Sequence, residues 1–199
     1  MIRHGLFDVP TNPKPSSSLL NSIYALYHKD VFLGSCFAIA PLVIVSAGHH
    51  YNTTKDDVGD FSILSGTSKW TKAEYGAKNP NHDMAVFWLV EPVPCFLPLR
   101  GHFPRTQSHV ATIWLSLKPP HEHIISPGVV MNSNHETCLI KGTVSTTGSS
   151  GAPVVDFFGT HFVGIHLTSN TRDGSRVSGC LTARKMVSLL AEMGVTCRD

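Results

Sequence analysis

Long hydrophobic runs are missing from this sequence, and no apolar stretch approaches the ~18 residues that a membrane-spanning helix requires. The first residues also lack the apolar centre of a signal peptide. Charge is scarce, at 15% Asp, Glu, Lys and Arg, and nearly balanced, with a formal net charge of +2. That balance removes the bulk electrostatic case for a nucleic-acid or anionic-membrane partner. Cysteine pairs are missing too. The five cysteines, Cys36, Cys95, Cys138, Cys180 and Cys197, stand at wide, irregular spacing with no CxxC. An odd count so spaced predicts reduced, buried thiols rather than a disulfide framework or a zinc ribbon. Nor does any stretch before residue 183 keep a helical period over three turns. Membrane channel, coiled coil, collagen and disulfide-dense scaffold are therefore excluded.

What is present is a 199-residue chain with 42% hydrophobic residues, enough for a sizeable core. Residues 1–18 hold three prolines and a run of three serines and read as an irregular arm. From Leu19 onward, short apolar runs rich in β-branched and aromatic residues alternate with Gly, Pro, Asn and Asp. Ser22–Tyr27, Val31–Ala38, Leu42–Ser46, Phe61–Leu64 and Met84–Leu89 are predicted strands, with His28-Lys29-Asp30 as a hairpin turn. A proline-rich connector, Glu91–Pro104, precedes a second set: Val110–Leu117, Gly128–Met131, Thr137–Ile140, Pro153–Asp156, Phe162–His166 and Gly179–Thr182. Only Ala183–Met193 has helical periodicity, with Met186, Val187, Leu190 and Met193 on one face and Gly194 placed to stop it. This pattern predicts an all-β protein, two barrels or a sandwich, closed by one helix. The predicted units are residues 19–104 and 105–199.

Three segments carry chemistry. Gly148-Ser149-Ser150-Gly151-Ala152-Pro153 sets a hydroxyl between glycines, as an exposed nucleophile on a tight turn requires. Val43-Ile44-Val45-Ser46-Ala47-Gly48-His49 is a strand that ends in small residues and then a histidine, a general base near neutral pH. Asp83 heads the apolar run Met84-Ala85-Val86, where a carboxylate would fix the imidazole tautomer. His121-Glu122-His123 lacks a third ligand at sensible spacing, so no metal and no other cofactor is expected.

In that order, His49, Asp83 and Ser150 with their flanks resemble the motifs of the chymotrypsin-like serine endopeptidases over roughly residues 20–190. The resemblance implies two antiparallel β-barrels with the active site between them. It makes His49 the base, Asp83 the orienting acid and Ser150 the nucleophile, with the N–H groups of Gly148 and Ser150 as the oxyanion hole. His50, which replaces the cysteine found there in digestive trypsins, should leave Cys36 without its usual partner and point to the opposite side of the chain from His49. Ser149 replaces their zymogen-activating aspartate, so no such activation is expected.

His166, within Gly164-Ile165-His166, resembles the specificity-pocket histidine of viral 3C-like proteases, the serine type of arteriviruses, astroviruses and sobemoviruses included. In that group it binds a Gln or Glu side chain before the cut bond, and here Ser145 and Thr168 would assist. The expectation is a protease acting on a viral polyprotein in the host cytoplasm, with weak RNA binding admitted although Lys and Arg are dispersed. The alternatives are a cellular or bacterial trypsin-like protease, or an inactive barrel that binds RNA or protein.

Overall fold

A computed structural model of the chain describes residues 15–51, 59–101, 103–156, 161–172 and 174–195, with residues 171 and 172 described by their backbone only. Twelve strands form two closed antiparallel barrels. The first contains β1 (Ile23–His28), β2 (Val31–Ala40), β3 (Val43–Ala47), β4 (Phe61–Leu64), β5 (Trp70–Lys78) and β6 (Met84–Leu89). The second contains β7 (His109–Leu115), β8 (His123–Ser133), β9 (Thr137–Lys141), β10 (Pro153–Asp156), β11 (Phe162–Arg172) and β12 (Ser175–Thr182). Neighbouring strands run β1-β2-β3-β6-β5-β4 in one and β7-β8-β9-β12-β11-β10 in the other. The halves thus share one topology, and closure leaves neither barrel with an exposed edge. This is the chymotrypsin-like architecture.

Strands at the seam are apolar on both faces because each face meets a different core. In β1, Tyr24 and Leu26 point into the first barrel, while Ile23, Ala25 and Tyr27 join the core shared between barrels. Ile-Tyr-Ala-Leu-Tyr therefore reads as a continuous run rather than an alternation. Ile113, Leu115, Val155 and Ile165 meet the seam from the second barrel, and the Phe37 and Phe162 rings touch across it at 4.9 Å between centroids. The connector 91–104 lies along the first barrel, with Val93 N–H donating to Pro41 O and Leu97 N–H to Ala38 O.

Several expectations are corrected. The 70–78 strand escaped sequence reading because only Thr71 and Ala73 are buried, and Lys72 and Glu74 face outward. The arm expected over 1–18 lies largely outside the described residues, but Ser17–Leu20 is a short helix, α1, capped by Ser16 Oγ on Leu19 N–H. The second helix, α2 (Ala183–Glu192), begins at the cap residue Thr182 and buries Met186, Leu189 and Leu190. Val187, expected on that face, is exposed. Among the described residues no helix is long and apolar enough to cross a membrane.

The cysteines depart furthest from expectation. Cys138 and Cys180 are directly opposite on β9 and β12 and form a disulfide, with a Cα–Cα separation of 5.4 Å. A sequence separation of 42 gave no hint, because antiparallel pairing alone brings the two together. Cys36 and Cys95 are free thiols, and Cys197 lies outside the described residues. Cys36 is not the residue facing position 50. That place belongs to Gly34, where a Cβ would fall 2.4 Å from His50 Cε1. Peptide mapping of the unreduced protein is expected to recover a Cys138–Cys180 linked peptide. Reduction should lower stability by about 2–4 kcal/mol in denaturant titration. An unlinked map would contradict the pairing.

Candidate active site

The register of β3 against β6 assembles the first half of the site. Ala47 pairs with Met84, so the residues just beyond the ends of these strands, His49 and Asp83, fall side by side. The chain leaves β3 through a single 3-10 turn, Gly48–His50. Gly48 permits the approach, since a Cβ there would lie 2.9 Å from Met84 N and 3.0 Å from Asp83 Oδ1. Asp83 Oδ1 accepts the His49 backbone N–H at 2.6 Å, and Oδ2 accepts the His49 Nδ1 proton at 2.6 Å. The proton is thus held on Nδ1, which leaves Nε2 as the basic nitrogen. Burial pushes the Asp83 carboxyl up, but hydrogen bonds from His49 and the charge of its ring outweigh burial and hold the group below its usual range. Asp83 is therefore ionised at neutral pH.

The second half is the turn at residues 146–151. Ser149 N–H donates to Thr146 O at 3.0 Å, and Gly151 N–H to His166 O at 2.8 Å. Gly148 and Gly151 have φ of +97° and +82°, the left-handed region that favours glycine. Gly151 also has no room for a side chain: a Cβ would lie 2.4 Å from Ser35 O and 2.9 Å from Ala47 N. The turn that carries Ser150 is thereby pressed against the segment that carries His49. Among the described residues the N–H groups of Gly148 and Ser150 donate to no protein acceptor, as an oxyanion hole requires. Among the described residues Ser150 Oγ and His49 share no hydrogen bond. Such contacts commonly tighten only in the substrate complex.

The His50 ring is buried and stands edge-on to the His49 ring at 4.7 Å between centroids, so the two do not lie on opposite sides of the chain as expected. His50 Nδ1 lies 2.8 Å from Ser46 Oγ, whose own proton goes to Ser35 O, so His50 Nδ1 is the donor. Burial, helped by the neighbouring His49 ring, lowers the His50 pKa to about 4.

The expected pocket residues are partly reassigned. His166 is buried, with Nε2 at 3.4 Å from both Ser149 Oγ and Ser169 Oγ, and burial lowers its pKa to about 4. Ser145 Oγ is hydrogen-bonded to Ser169 Oγ. Thr168 is not part of this group. A regular strand would put residues 166 and 168 on one face, but a bulge between them shifts the register. Both residues are exposed, but it is Ser169 whose hydroxyl reaches His166 and Ser145. Beyond the two serines opens a cavity of about 280 Å³, lined also by Thr143, Asn170, Arg176 and Val177.

His121 and His123 have other duties. His121 Nε2 is bonded to Tyr27 Oη and its ring stacks on Phe32, while His123 Nε2 contacts Leu20 O at 2.9 Å. Among the described residues no cluster of three His, Cys, Asp or Glu is arranged for a metal.

No protein-family profile and no curated protein matches this sequence. Solved structures do. The inactive form of the Rv3671c protease superposes with a TM-score of 0.72 at 17% identity, covering 94% of this chain and 100% of that one. A serine endoprotease from Yersinia pestis gives a TM-score of 0.72 at 14% identity over 90% of this chain and 67% of that one. Kallikrein-related peptidase 10 gives 0.72 at 12% identity over 90% and 98%. These similarities establish the trypsin/chymotrypsin fold.

His50 and His166 link this site to stability. Each has a folded pKa of about 4 against an ordinary value of 6.5. Between those values the unfolded chain binds protons that the folded chain does not, so stability falls as pH drops through that window. Each ring should cost about 1.6 kcal/mol between pH 6.5 and pH 5. Urea midpoints should fall accordingly, and His50→Gln or His166→Gln should flatten the slope. An unchanged slope in both variants would refute the buried-neutral assignment.

Proposed function

We propose that the chain is a serine endopeptidase that cleaves peptide bonds through Ser150, His49 and Asp83. The observation that carries this reading is the His49–Asp83 pair, closed at 2.6 Å against a turn that presents Ser150 and two unpaired N–H groups. Ser150 Oγ attacks the peptide carbonyl while His49 Nε2 takes its proton. The carbonyl oxygen, now negative, is received by the N–H groups of Gly148 and Ser150. His49 returns the proton to the leaving amine, and water then hydrolyses the acyl-enzyme with His49 again as base. Asp83 stays ionised throughout and stabilises the imidazolium.

The substrate side chain before the cut bond is Glu or Gln in this reading. The hydroxyls of Ser145 and Ser169 line the cavity, with the buried, neutral His166 behind them at 3.4 Å from Ser169 Oγ, so this wall offers hydrogen-bonding groups and no fixed negative charge. Lys or Arg would bring an unpaired cation into the pocket, and an apolar side chain would leave the donors unpaired. This pocket supports the viral polyprotein-processing reading. The second reading, a bacterial trypsin-like protease, is favoured by the structural neighbours, which include the HtrA-type protease AlgW at a TM-score of 0.69 and 15% identity. The Cys138–Cys180 bridge also removes one argument for the host cytoplasm, since that argument rested in part on reduced thiols.

A fluorophosphonate probe should label Ser150. Ser150→Ala should lose turnover on the order of 10⁶-fold, and Asp83→Asn roughly 10⁴-fold through loss of tautomer control. Near-wild-type cleavage by Ser150→Ala would sink the assignment. Mass-spectrometric profiling on a peptide library should show cleavage after Glu or Gln, and His166→Val should depress it selectively. A profile dominated by Lys and Arg would overturn the pocket and leave the bacterial trypsin-like reading standing.

A further inference from the structure

We propose that Ser35, on β2 of the first barrel, is a positioning residue for the oxyanion hole carried by the second. The proposal rests on the serine-endopeptidase reading above. It starts from the Gly148–Ser149 peptide, which lies between the two N–H groups assigned to the oxyanion. The carbonyl of this peptide accepts twice from Ser35, from its N–H at 3.1 Å and its hydroxyl at 2.9 Å. At the other end, the Ser149 N–H donates to Thr146 O at 3.0 Å. The middle peptide is therefore held at both its carbonyl and its N–H. Its two neighbours keep their N–H groups free.

The turn needs such a hold. Gly148 has no Cβ to resist rotation about its backbone bonds, and its φ of +97° is one of several conformations open to glycine. Rotating the 148–149 peptide would give up both bonds from Ser35. It would also swing the adjoining N–H groups off the point where negative charge develops, and the value of such donors depends on being fixed beforehand.

Serine suits the position because it donates and accepts at once. The Ser35 hydroxyl gives its proton to Gly148 O and accepts the Leu115 N–H, at the end of β7, at 3.0 Å. The Ser35 carbonyl accepts from Ser46 Oγ at 2.8 Å. Ser35 is fully buried, so water cannot replace any of these partners. One residue of the first barrel thus fixes two backbone groups of the second, and through Ser46 it is joined to the segment that carries His49. It touches no reacting atom. Alanine would remove the hydroxyl and leave the Leu115 N–H buried without an acceptor.

The test compares Ser35→Ala and the near-isosteric Ser35→Cys, a weak donor, with the wild type, each at a temperature well below its own unfolding. Removing an oxyanion donor outright costs about 10²–10³ in kcat, so loosening the hold should cost about 10- to 100-fold in kcat with KM nearly unchanged. A peptidyl boronic acid, whose adduct with Ser150 places a negative oxygen in the hole, should lose affinity by a similar factor. The cleaved product peptide should bind as before. Wild-type kcat and boronate affinity in a folded Ser35→Ala or Ser35→Cys chain would overturn the proposal. So would equal losses of boronate and product binding, which a merely structural role produces. Fluorophosphonate labelling of the wild type separates the two levels. If the wild type takes the probe and the variants match it, only the Ser35 role falls. If the wild type neither takes the probe nor cleaves peptides, both fall.

Discussion

Everything in this molecule depends on the apolar seam between two closed barrels. Each barrel has a small interior of its own, yet the larger shared core lies between them and extends to α2. A seam of this kind is non-directional in its energy, so it holds the barrels together without saying how their loops should align. Alignment comes from the few polar groups buried at one end of it. Ser35, Ser46 and His50 form a chain of hydrogen bonds there that reaches Gly148 and Leu115. Their burial makes each bond costly to lose, which is how a modest number of contacts fixes a geometry.

Division of labour between barrels explains why the candidate site has two characters. The His49–Asp83 pair is built within the first barrel, from the ends of two paired strands. The Ser150 turn is built within the second and is soft by composition, with glycine on both sides. Its shape is imposed from outside by β2 and the end of β3.

Replacement of a cysteine by His50 has a structural consequence on the same face. In place of a covalent bridge, a buried imidazole fills the space over Gly34 and bonds to Ser46. That exchange ties local stability to pH, because the ring must stay neutral to remain inside. The disulfide that the chain does form lies elsewhere, within the second barrel between β9 and β12. Its position braces the pairing of β9 with β12.

How much of this was legible in the sequence follows from the range of each interaction. Strands such as Phe61–Leu64, Met84–Leu89 and Pro153–Asp156 were readable to the residue, since apolar runs bounded by turn residues are a local signal. The candidate residues His49 and Ser150 stand beside glycines, Gly48 and Gly151, that close packing requires, and Asp83 heads the apolar run of β6, so all three could be picked out from local sequence. The 70–78 strand was not, because its outward face is charged and its inward face is Ala and Thr. Ser169 was hidden by a bulge that no local pattern announces, and Thr168 was the natural choice on a regular strand. Cys138 and Cys180 met only through strand pairing, 42 residues apart. Ser35 carries no local signal beyond its place in the predicted strand Val31–Ala38. The sequence alone determined the periodicities and the reactive groups, which are properties of neighbouring residues. Tertiary structure decided register and the contacts between barrels, because those depend on which distant backbone groups are brought face to face.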